Sequence, residues 1–363
     1  MISRRTETTD NLRSLATSGT VRSADRSAIC ADSSQADEGL DHLDSLGPGE
    51  PGTGKAVRVQ TSRRDMRYRL PVTATERDFA LEDRTVRVRT TGDPSGFPVM
   101  YFHGTPGSRL DLAFGDELIA ATGVRLVSFD RPGYGGSSPS PFGLVSVARD
   151  ALIIADQLGL ARFATLGDSG GGPFAIATAA VGGERVTRIG VASGAGPFQE
   201  VPGAIEGLSE IDSRAVGLLP TNPAEAAATF TSSLEPILAA MNQGGDALRA
   251  AFEPLLSARD RVLFADPVVG RYQIASLREG LRQGVSGWGW DNVAYVGRWE
   301  IEVATVQTPA LLWYGDEDLM APLAHGRWLD EHLPNSRLVI RAGEGHFGLL
   351  DHLAEVLSEL VAG

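Results

Sequence analysis

The sequence is poor in cysteine, since Cys30 is the only one among 363 residues. A single cysteine excludes an internal disulfide framework and a cysteine-rich zinc site. The sequence also lacks an apolar run of the length that a bilayer span requires, and no apolar stretch follows Arg4 and Arg5 as it would in a secretory signal. From these absences we expect a cytoplasmic protein with no membrane span.

Basic residues are also in deficit. The sequence has 33 lysines and arginines against 46 aspartates and glutamates, which gives a net charge of −13. Because a nucleic-acid partner requires a basic surface that neutralises phosphates, we exclude nucleic acid as a partner. The contents of 42% hydrophobic and 22% charged residues are those of a globular protein.

Residues 1–65 differ in composition from the rest of the sequence. Ser, Thr, Asp, Arg and Gly dominate there, and no apolar periodicity is sustained. Such a segment buries too little surface to offset the entropy of ordering, so we predict a disordered tail, with Met66 as a candidate start site. Residues 49–55 match the phosphate-binding pattern G-x-x-x-x-G-K, but Ala56 replaces the hydroxyl that binds Mg²⁺. We therefore predict no nucleotide site and no cofactor.

From about residue 77, strand and helix patterns alternate. The strands are short, continuous apolar runs, as at 98–102, 124–129, 163–166 and 186–192. Continuous runs of this kind are typical of parallel strands in a sheet that helices cover on both faces. We therefore predict an α/β fold whose core comprises residues 66–197 and 304–363.

The alternation is interrupted over residues 198–303. This stretch has an alanine- and leucine-rich helical pattern, punctuated by Gly and Pro. We predict that it is an inserted helical cap, or lid, over the core. Within it, the pattern predicts a continuous helix over residues 223–238.

The most informative stretch is Gly-Asp-Ser-Gly-Gly, from Gly167 to Gly171, which lies between an apolar strand and a helix of small residues. It matches G-x-S-x-G, a sharp turn that exposes a nucleophilic serine, here Ser169, at the end of a strand. Side chains at Gly167 and Gly171 would collide with the adjoining strand and helix. The start of the following helix favours negative charge that develops beside Ser169.

A serine nucleophile needs a base, and the base needs an acid that orients it. His346 follows the last predicted strand, so we predict that it is the base. Three carboxylates follow the strand before it, and we choose Asp318 as the acid, with Asp316 as the second choice. Ser169, Asp318 and His346 then occur in the order Ser–Asp–His, each directly after a strand, which points to a catalytic triad.

The loop after the strand at 98–102 is predicted to complete the site. The backbone N–H groups of Gly170 and Thr105 are the expected donors of an oxyanion hole. Gly104 and Gly107 let this loop pass close to a substrate. His103 is expected to order the loop through hydrogen bonds.

These motifs resemble those of the α/β-hydrolase fold superfamily. The resemblance covers about residues 77 to 363 and rests on residues 103–107, 130–137, 167–171, 315–318 and 345–346, which follow the family's order and spacing. It implies a mostly parallel sheet of eight strands whose second strand is antiparallel, with a cap inserted after the sixth. It also implies a serine hydrolase of the esterase or proline iminopeptidase-like branch.

We therefore predict a cofactor-independent serine hydrolase that acts on a small ester or related acyl compound. One alternative is an aminopeptidase of the proline iminopeptidase type, which would need a cap carboxylate such as Glu200, Glu206 or Glu210 for the substrate amine. Against it, Gly170 follows the serine where that family usually has Trp. A second alternative is a non-catalytic small-molecule binding protein on the same fold. Asp168, beside the nucleophile, has no assigned role in this scheme.

Overall fold

A computed structural model of the protein describes residues 74–81 and 83–362. The prediction of a disordered tail over residues 1–65, together with Cys30 and the stretch at 49–55, lies outside the described residues. Within the described ranges, no helix is long and apolar enough to cross a membrane.

A single mixed sheet runs through the described part of the chain. Its eight strands are β1 (Thr75–Leu81), β2 (Arg84–Gly92), β3 (Phe97–Phe102), β4 (Val124–Phe129), β5 (Phe163–Asp168), β6 (Val186–Ala192), β7 (Ala310–Gly315) and β8 (Ser336–Arg341). Their spatial order is β1-β2-β4-β3-β5-β6-β7-β8. Strand β2 is antiparallel to both its neighbours, and every other pair is parallel. The predicted α/β fold with a mostly parallel eight-stranded sheet is confirmed.

Helices cover the sheet and fill the connection between β6 and β7. Those described are α1 (Asp116–Ala121), α2 (Leu144–Gln157), α3 (Gly172–Gly182), α4 (Glu210–Gly217), α5 (Pro223–Ser232), α6 (Glu235–Gln243), α7 (Gly245–Phe252), α8 (Ala258–Ala265), α9 (Pro267–Gly280), α10 (Ser286–Val296), α11 (Ala324–His332) and α12 (Gly348–Val361). Helices α4 to α10 all lie within residues 198–303, which we call the inserted segment.

The continuous helix predicted over residues 223–238 is wrong. The structure has two helices there, α5 and α6, separated at Ser233 and Leu234. Pro236 explains the break, because proline has no N–H and its ring clashes with the carbonyl four residues earlier. That carbonyl belongs to Ser232, the last residue of α5.

Both faces of the sheet are buried, as the continuous apolar strands predict. On β3, Met100 and Phe102 join an apolar cluster that includes side chains of α2, α3 and α11. Val99 and Tyr101 join a second cluster on the other face, with side chains of α1 and α12. Because β3, β5, β7 and β8 run parallel, the loops after them emerge together at the carboxyl edge of the sheet, where sites of open α/β folds assemble.

Candidate active site

The turn after β5 holds Ser169 in a strained conformation. Ser169 has a φ of +52°, in the left-handed region that side chains other than glycine rarely adopt. A Cβ at Gly167 would overlap the carbonyl of Gly171, and one at Gly171 would overlap the carbonyl of Phe102. The two glycines therefore permit a turn tight enough to place Ser169 at the edge of the sheet.

Ser169 begins a chain of hydrogen bonds. Its Oγ lies 2.9 Å from Nε2 of His346, whose Nδ1 lies 2.8 Å from Oδ2 of Asp318. The other carboxylate oxygen of Asp318 accepts the backbone N–H groups of Met320 and Ala321, each at 2.8 Å. When the ring is neutral and Nδ1–H donates to this ionised carboxylate, Nε2 is left to accept the proton of Ser169. The structure thus brings the three predicted triad residues together.

Asp316, the second choice for the acid, lies elsewhere. Its carboxylate is exposed and accepts the backbone N–H of Gly343 at 2.7 Å. It stabilises the loop after β8 rather than contacting the histidine.

The electrostatics favour an ion pair between His346 and Asp318. Burial by itself would lower the pKa of His346, but the charge of Asp318 and their hydrogen bond raise that pKa above its ordinary value. Burial would raise the pKa of Asp318, but His346 and the two backbone N–H groups lower it. The carboxylate is therefore ionised and stabilises positive charge on the imidazole ring.

The loop after β3 lies directly against the nucleophile turn. A Cβ at Gly170 would overlap Oγ1 of Thr105, so these two predicted oxyanion donors are neighbours. His103 is fully buried beneath the loop, where its Nδ1 donates to the carbonyl of Gly104 at 2.7 Å. Burial and the charge of Arg131 lower the pKa of His103 well below its ordinary value, so the ring is neutral. Its hydrogen bonds order the loop.

The other two loop glycines have different surroundings. Gly104 lines the cleft in front of Ser169, and its N–H donates to Asp111 at 2.9 Å. Gly107 does not border the cleft but packs against Gly280, where a Cβ on Gly280 would overlap the carbonyl of Gly107. The absence of a side chain at Gly280 therefore allows α9 to approach the loop closely, whereas a Cβ at Gly107 would meet the carboxylate of Asp111.

A buried ion pair and its hydrogen bonds connect the loop after β3 to the inserted segment. Arg131 and Asp291 of α10 are both fully buried, and Nε and Nη2 of Arg131 donate to the carboxylate at 2.7 and 2.6 Å. Thr105 Oγ1 and Tyr134 Oη donate to the same carboxylate at 2.6 and 2.7 Å. Arg131 also donates to the carbonyl of His103 at 2.7 Å. Asp291 thus connects an inserted helix to the predicted oxyanion loop.

A second buried carboxylate of the inserted segment holds the histidine loop. Asp260 of α8 is fully buried and accepts the backbone N–H groups of His346 at 3.1 Å and Phe347 at 3.0 Å. It also accepts the N–H of Ser257, which caps α8. A Cβ at Gly345 would overlap this carboxylate. The position of His346 is therefore fixed from the inserted segment as well as from Asp318.

Sequence reasoning missed both of these carboxylates. Asp260 is visible in the sequence only as part of a capping pattern, Ser257-x-x-Asp260, which predicts a helix start and nothing more. Asp291 has no local signal, because its partners lie more than 150 residues away along the chain.

Ser169 and His346 line a cleft of about 710 Å³, a volume that includes the space open to solvent. Its apolar lining comes mainly from α7, α8 and α9, through Leu248, Phe252, Phe264, Ile274 and Leu277. In the described part of the chain, Glu200, Glu206 and Glu210 are exposed and do not line this cleft. The carboxylates that do line it are Asp111 and Asp168.

The chain is similar in sequence to known proteins. A sequence model of the alpha/beta hydrolase fold matches residues 98–353. The chain is 25% identical over 293 residues to a poly(3-hydroxyalkanoate) depolymerase of Ectopseudomonas oleovorans, covering 78% of this chain and 90% of the relative. It is 27% identical over 278 residues to a 2-hydroxymuconate semialdehyde hydrolase of Pseudomonas putida, covering 73% and 86%.

Solved structures show the same fold. A hydrolase from Pseudomonas aeruginosa PA01 matches with a TM-score of 0.59 at 19% identity, covering 79% of this chain and 98% of that one. An enol-lactonase from Burkholderia xenovorans LB400 matches with a TM-score of 0.57 at 20% identity, covering 79% and 100%.

Proposed function

We infer from the match to the sequence model that the chain belongs to the alpha/beta hydrolase fold family. We propose that it is a serine hydrolase that cleaves a small ester or related acyl bond. The observation that carries the proposal is the hydrogen-bonded chain from Ser169 through His346 to Asp318 at the floor of the apolar cleft. One relative is named a poly(3-hydroxyalkanoate) depolymerase and the other a 2-hydroxymuconate semialdehyde hydrolase, and these names support an acyl or related bond as the target.

The proposed reaction runs through an acyl-enzyme intermediate. His346 takes the proton of Ser169 as Oγ attacks the carbonyl carbon, and it then passes that proton to the leaving group. Asp318 stabilises the imidazolium that forms. Water then attacks the acyl-enzyme with His346 again as base, which releases the acid and restores Ser169.

The oxyanion of each tetrahedral intermediate would be held by the backbone N–H groups of Gly170 and Thr105. Loss of one such donor typically lowers kcat by about a hundredfold to a thousandfold. Because Asp291 accepts the hydroxyl of Thr105, we assign to the inserted segment a part in positioning this loop. We also propose that this segment is the cap, since α7 to α9 line the cleft.

The first test is labelling with a fluorophosphonate probe, together with hydrolysis of p-nitrophenyl acetate and butyrate. We expect labelling of the wild type and none of Ser169→Ala, whose kcat should fall by about a millionfold. Ser213→Ala is the matched control, because Ser213 is exposed on α4. A folded wild type that neither labels nor hydrolyses the esters would reject the proposal in favour of a binding protein.

A further inference from the structure

Asp168, the residue before Ser169, has a carboxylate oxygen without a hydrogen-bond partner. Asp168 lines the cleft beside Ser169, and its Oδ1 is buried with no hydrogen-bond partner among the described residues. A buried polar atom without a partner is rare and costly, because it has lost its water without gaining a donor. The second oxygen, Oδ2, also accepts no hydrogen bond from the described residues, and it is not buried like Oδ1. Because Asp168 lines the cleft, its carboxylate offers the cleft an acceptor that these residues do not satisfy.

The space in front of Asp168 adjoins the nucleophile. A point beside the Cα of Gly104, where a Cβ would lie, is 3.7 Å from Cβ of Ser169 and 3.8 Å from Oδ2 of Asp168. The same point is 3.9 Å from Oδ2 of Asp111. Ser169, Asp168 and Asp111 therefore surround the same side of Gly104, so a substrate held against this glycine would be close to both carboxylates.

Asp111 and Asp168 differ in whether their carboxylates have acceptor atoms free to bind a ligand. Asp111 is satisfied by the backbone N–H groups of Gly104 and Ser108 and by the hydroxyl of Ser276, so it contributes mainly charge. Asp168 contributes the free acceptor. Burial and the neighbouring negative charges raise the pKa of Asp168 to about 7, even though His346 opposes this. A cation in the space would favour the ionised form of Asp168.

The two arginines beside the cleft do not fill this role. The guanidinium of Arg131 is committed to Asp291 and to the carbonyl of His103. Arg249 lines the cleft, but its side chain is about half exposed and faces Asp246 at 3.7 Å. Neither donates a hydrogen bond to Asp168. A cationic group of a ligand would therefore find the carboxylate of Asp168 unpaired by either arginine.

We propose that Asp168, supported by the charge of Asp111, binds the α-ammonium group of an aminoacyl substrate. The preferred substrates are then small esters of amino acids, whose ammonium group is one bond away from the carbon bearing the scissile carbonyl. This assignment rests on the proposed function, since Ser169 must attack that carbonyl. The carboxylate for the amine comes from the nucleophile turn and not from Glu200, Glu206 or Glu210.

The reaction balances without a further reactant. The Oγ–acyl bond forms as the ester C–O bond breaks, and the alcohol leaves with the proton that His346 carried. Water then supplies the oxygen of the product carboxylate and returns a proton to Ser169 through His346. The ammonium group stays on Asp168 throughout and is not consumed.

Three ethyl esters that differ in one group test this assignment. Alanine ethyl ester carries an α-ammonium, ethyl lactate an α-hydroxyl and ethyl isobutyrate an α-methyl in the same position. The kcat/KM of each is measured at about pH 7 for the wild type, Asp168→Asn and Asp156→Asn. Asp156 is an exposed aspartate of α2 and serves as the matched control. Comparing ratios between variants removes the intrinsic reactivity of each ester.

We expect the ratio of alanine ester to isobutyrate ester to fall by about tenfold to a hundredfold in Asp168→Asn, the value of one hydrogen bond between charged partners. Asp156→Asn should leave it unchanged. An unchanged ratio in Asp168→Asn, an equal loss on all three esters, or an equal loss on the lactate ester would each overturn the assignment. If the wild type still hydrolyses the isobutyrate ester and Ser169 is still labelled, the hydrolase proposal stands even when the assignment of Asp168 fails. If the wild type does neither, the hydrolase proposal and the assignment of Asp168 both fail.

Discussion

The buried pair of Arg131 and Asp291 makes a strong prediction for stability. Replacing Asp291 by Asn keeps the shape of the side chain but leaves the guanidinium of Arg131 without a counter-charge. Both side chains are fully buried, so water cannot compensate. Breaking one side of a buried pair costs about 3–5 kcal/mol. That is a large share of the 5–15 kcal/mol by which domains are typically stable.

Urea unfolding followed by tryptophan fluorescence measures this effect. We expect the free energy of unfolding to fall by about 3–5 kcal/mol in Asp291→Asn. The matched control is Asp156→Asn, whose partner Arg185 lies at a similar distance of 2.7 Å on the surface, where the aspartate side chain is 64% exposed. An exposed pair of this kind contributes about 0–1 kcal/mol.

A double variant separates the charge from the packing. In Arg131→Met with Asp291→Leu, neither charge is left unpaired, so the loss should be smaller than in Asp291→Asn alone. If Asp291→Asn were no less stable than Asp156→Asn, the pair would not be buried in solution. The reasoning about the loop after β3 would then be refuted as well.

Two further predictions concern the histidine loop. In the wild type, kcat/KM should rise with pH through a midpoint above about 6.5, because His346 acts as a base when neutral and Asp318 raises its pKa. In Asp318→Asn, the midpoint of this pH profile should move to lower pH, and kcat should fall by about ten-thousandfold. A midpoint at the same pH as in the wild type would contradict the pairing of His346 with Asp318. In Gly345→Ala, the new Cβ would overlap the carboxylate of Asp260, so we expect His346 to be displaced and kcat to fall by about a hundredfold. The control is Gly217→Ala, whose Cβ would meet open space and should leave kcat unchanged. Stopped-flow ester hydrolysis measures kcat for both variants.

The sheet could be predicted from the sequence because its signal is local. The parallel strands are short, mainly apolar runs bounded by glycine or polar residues, and β6 begins and ends where the pattern predicts, at Val186 and Ala192. The juxtaposition of Ser169, Asp318 and His346 follows from the same strands, since parallel strands end at one edge. Their catalytic role, and that of Thr105 and Gly170, stays a prediction.

The polar contacts of the inserted segment could not be predicted in this way. A helix pattern shows which face is apolar, but it does not show which distant loop a single buried Asp will reach. Asp291 lies in a glycine- and tryptophan-rich helix, and Asp260 resembles a helix cap, so neither stands out locally. The missing partner of Asp168 is likewise a property of the assembled cleft, because it depends on where Asp111, Arg131 and Gly104 lie in space.

The same contacts bear on how a substrate enters. Asp260 holds the loop that carries His346, and Asp291 holds the loop that carries Thr105, so lifting the whole inserted segment would release both loops together. It would also separate the fully buried ion pair of Arg131 and Asp291. Side-chain movement at the mouth of the cleft breaks none of these bonds, since Arg249 there is about half exposed and only loosely paired. The geometry therefore favours entry through the mouth, with the two buried aspartates in place while Ser169 reacts.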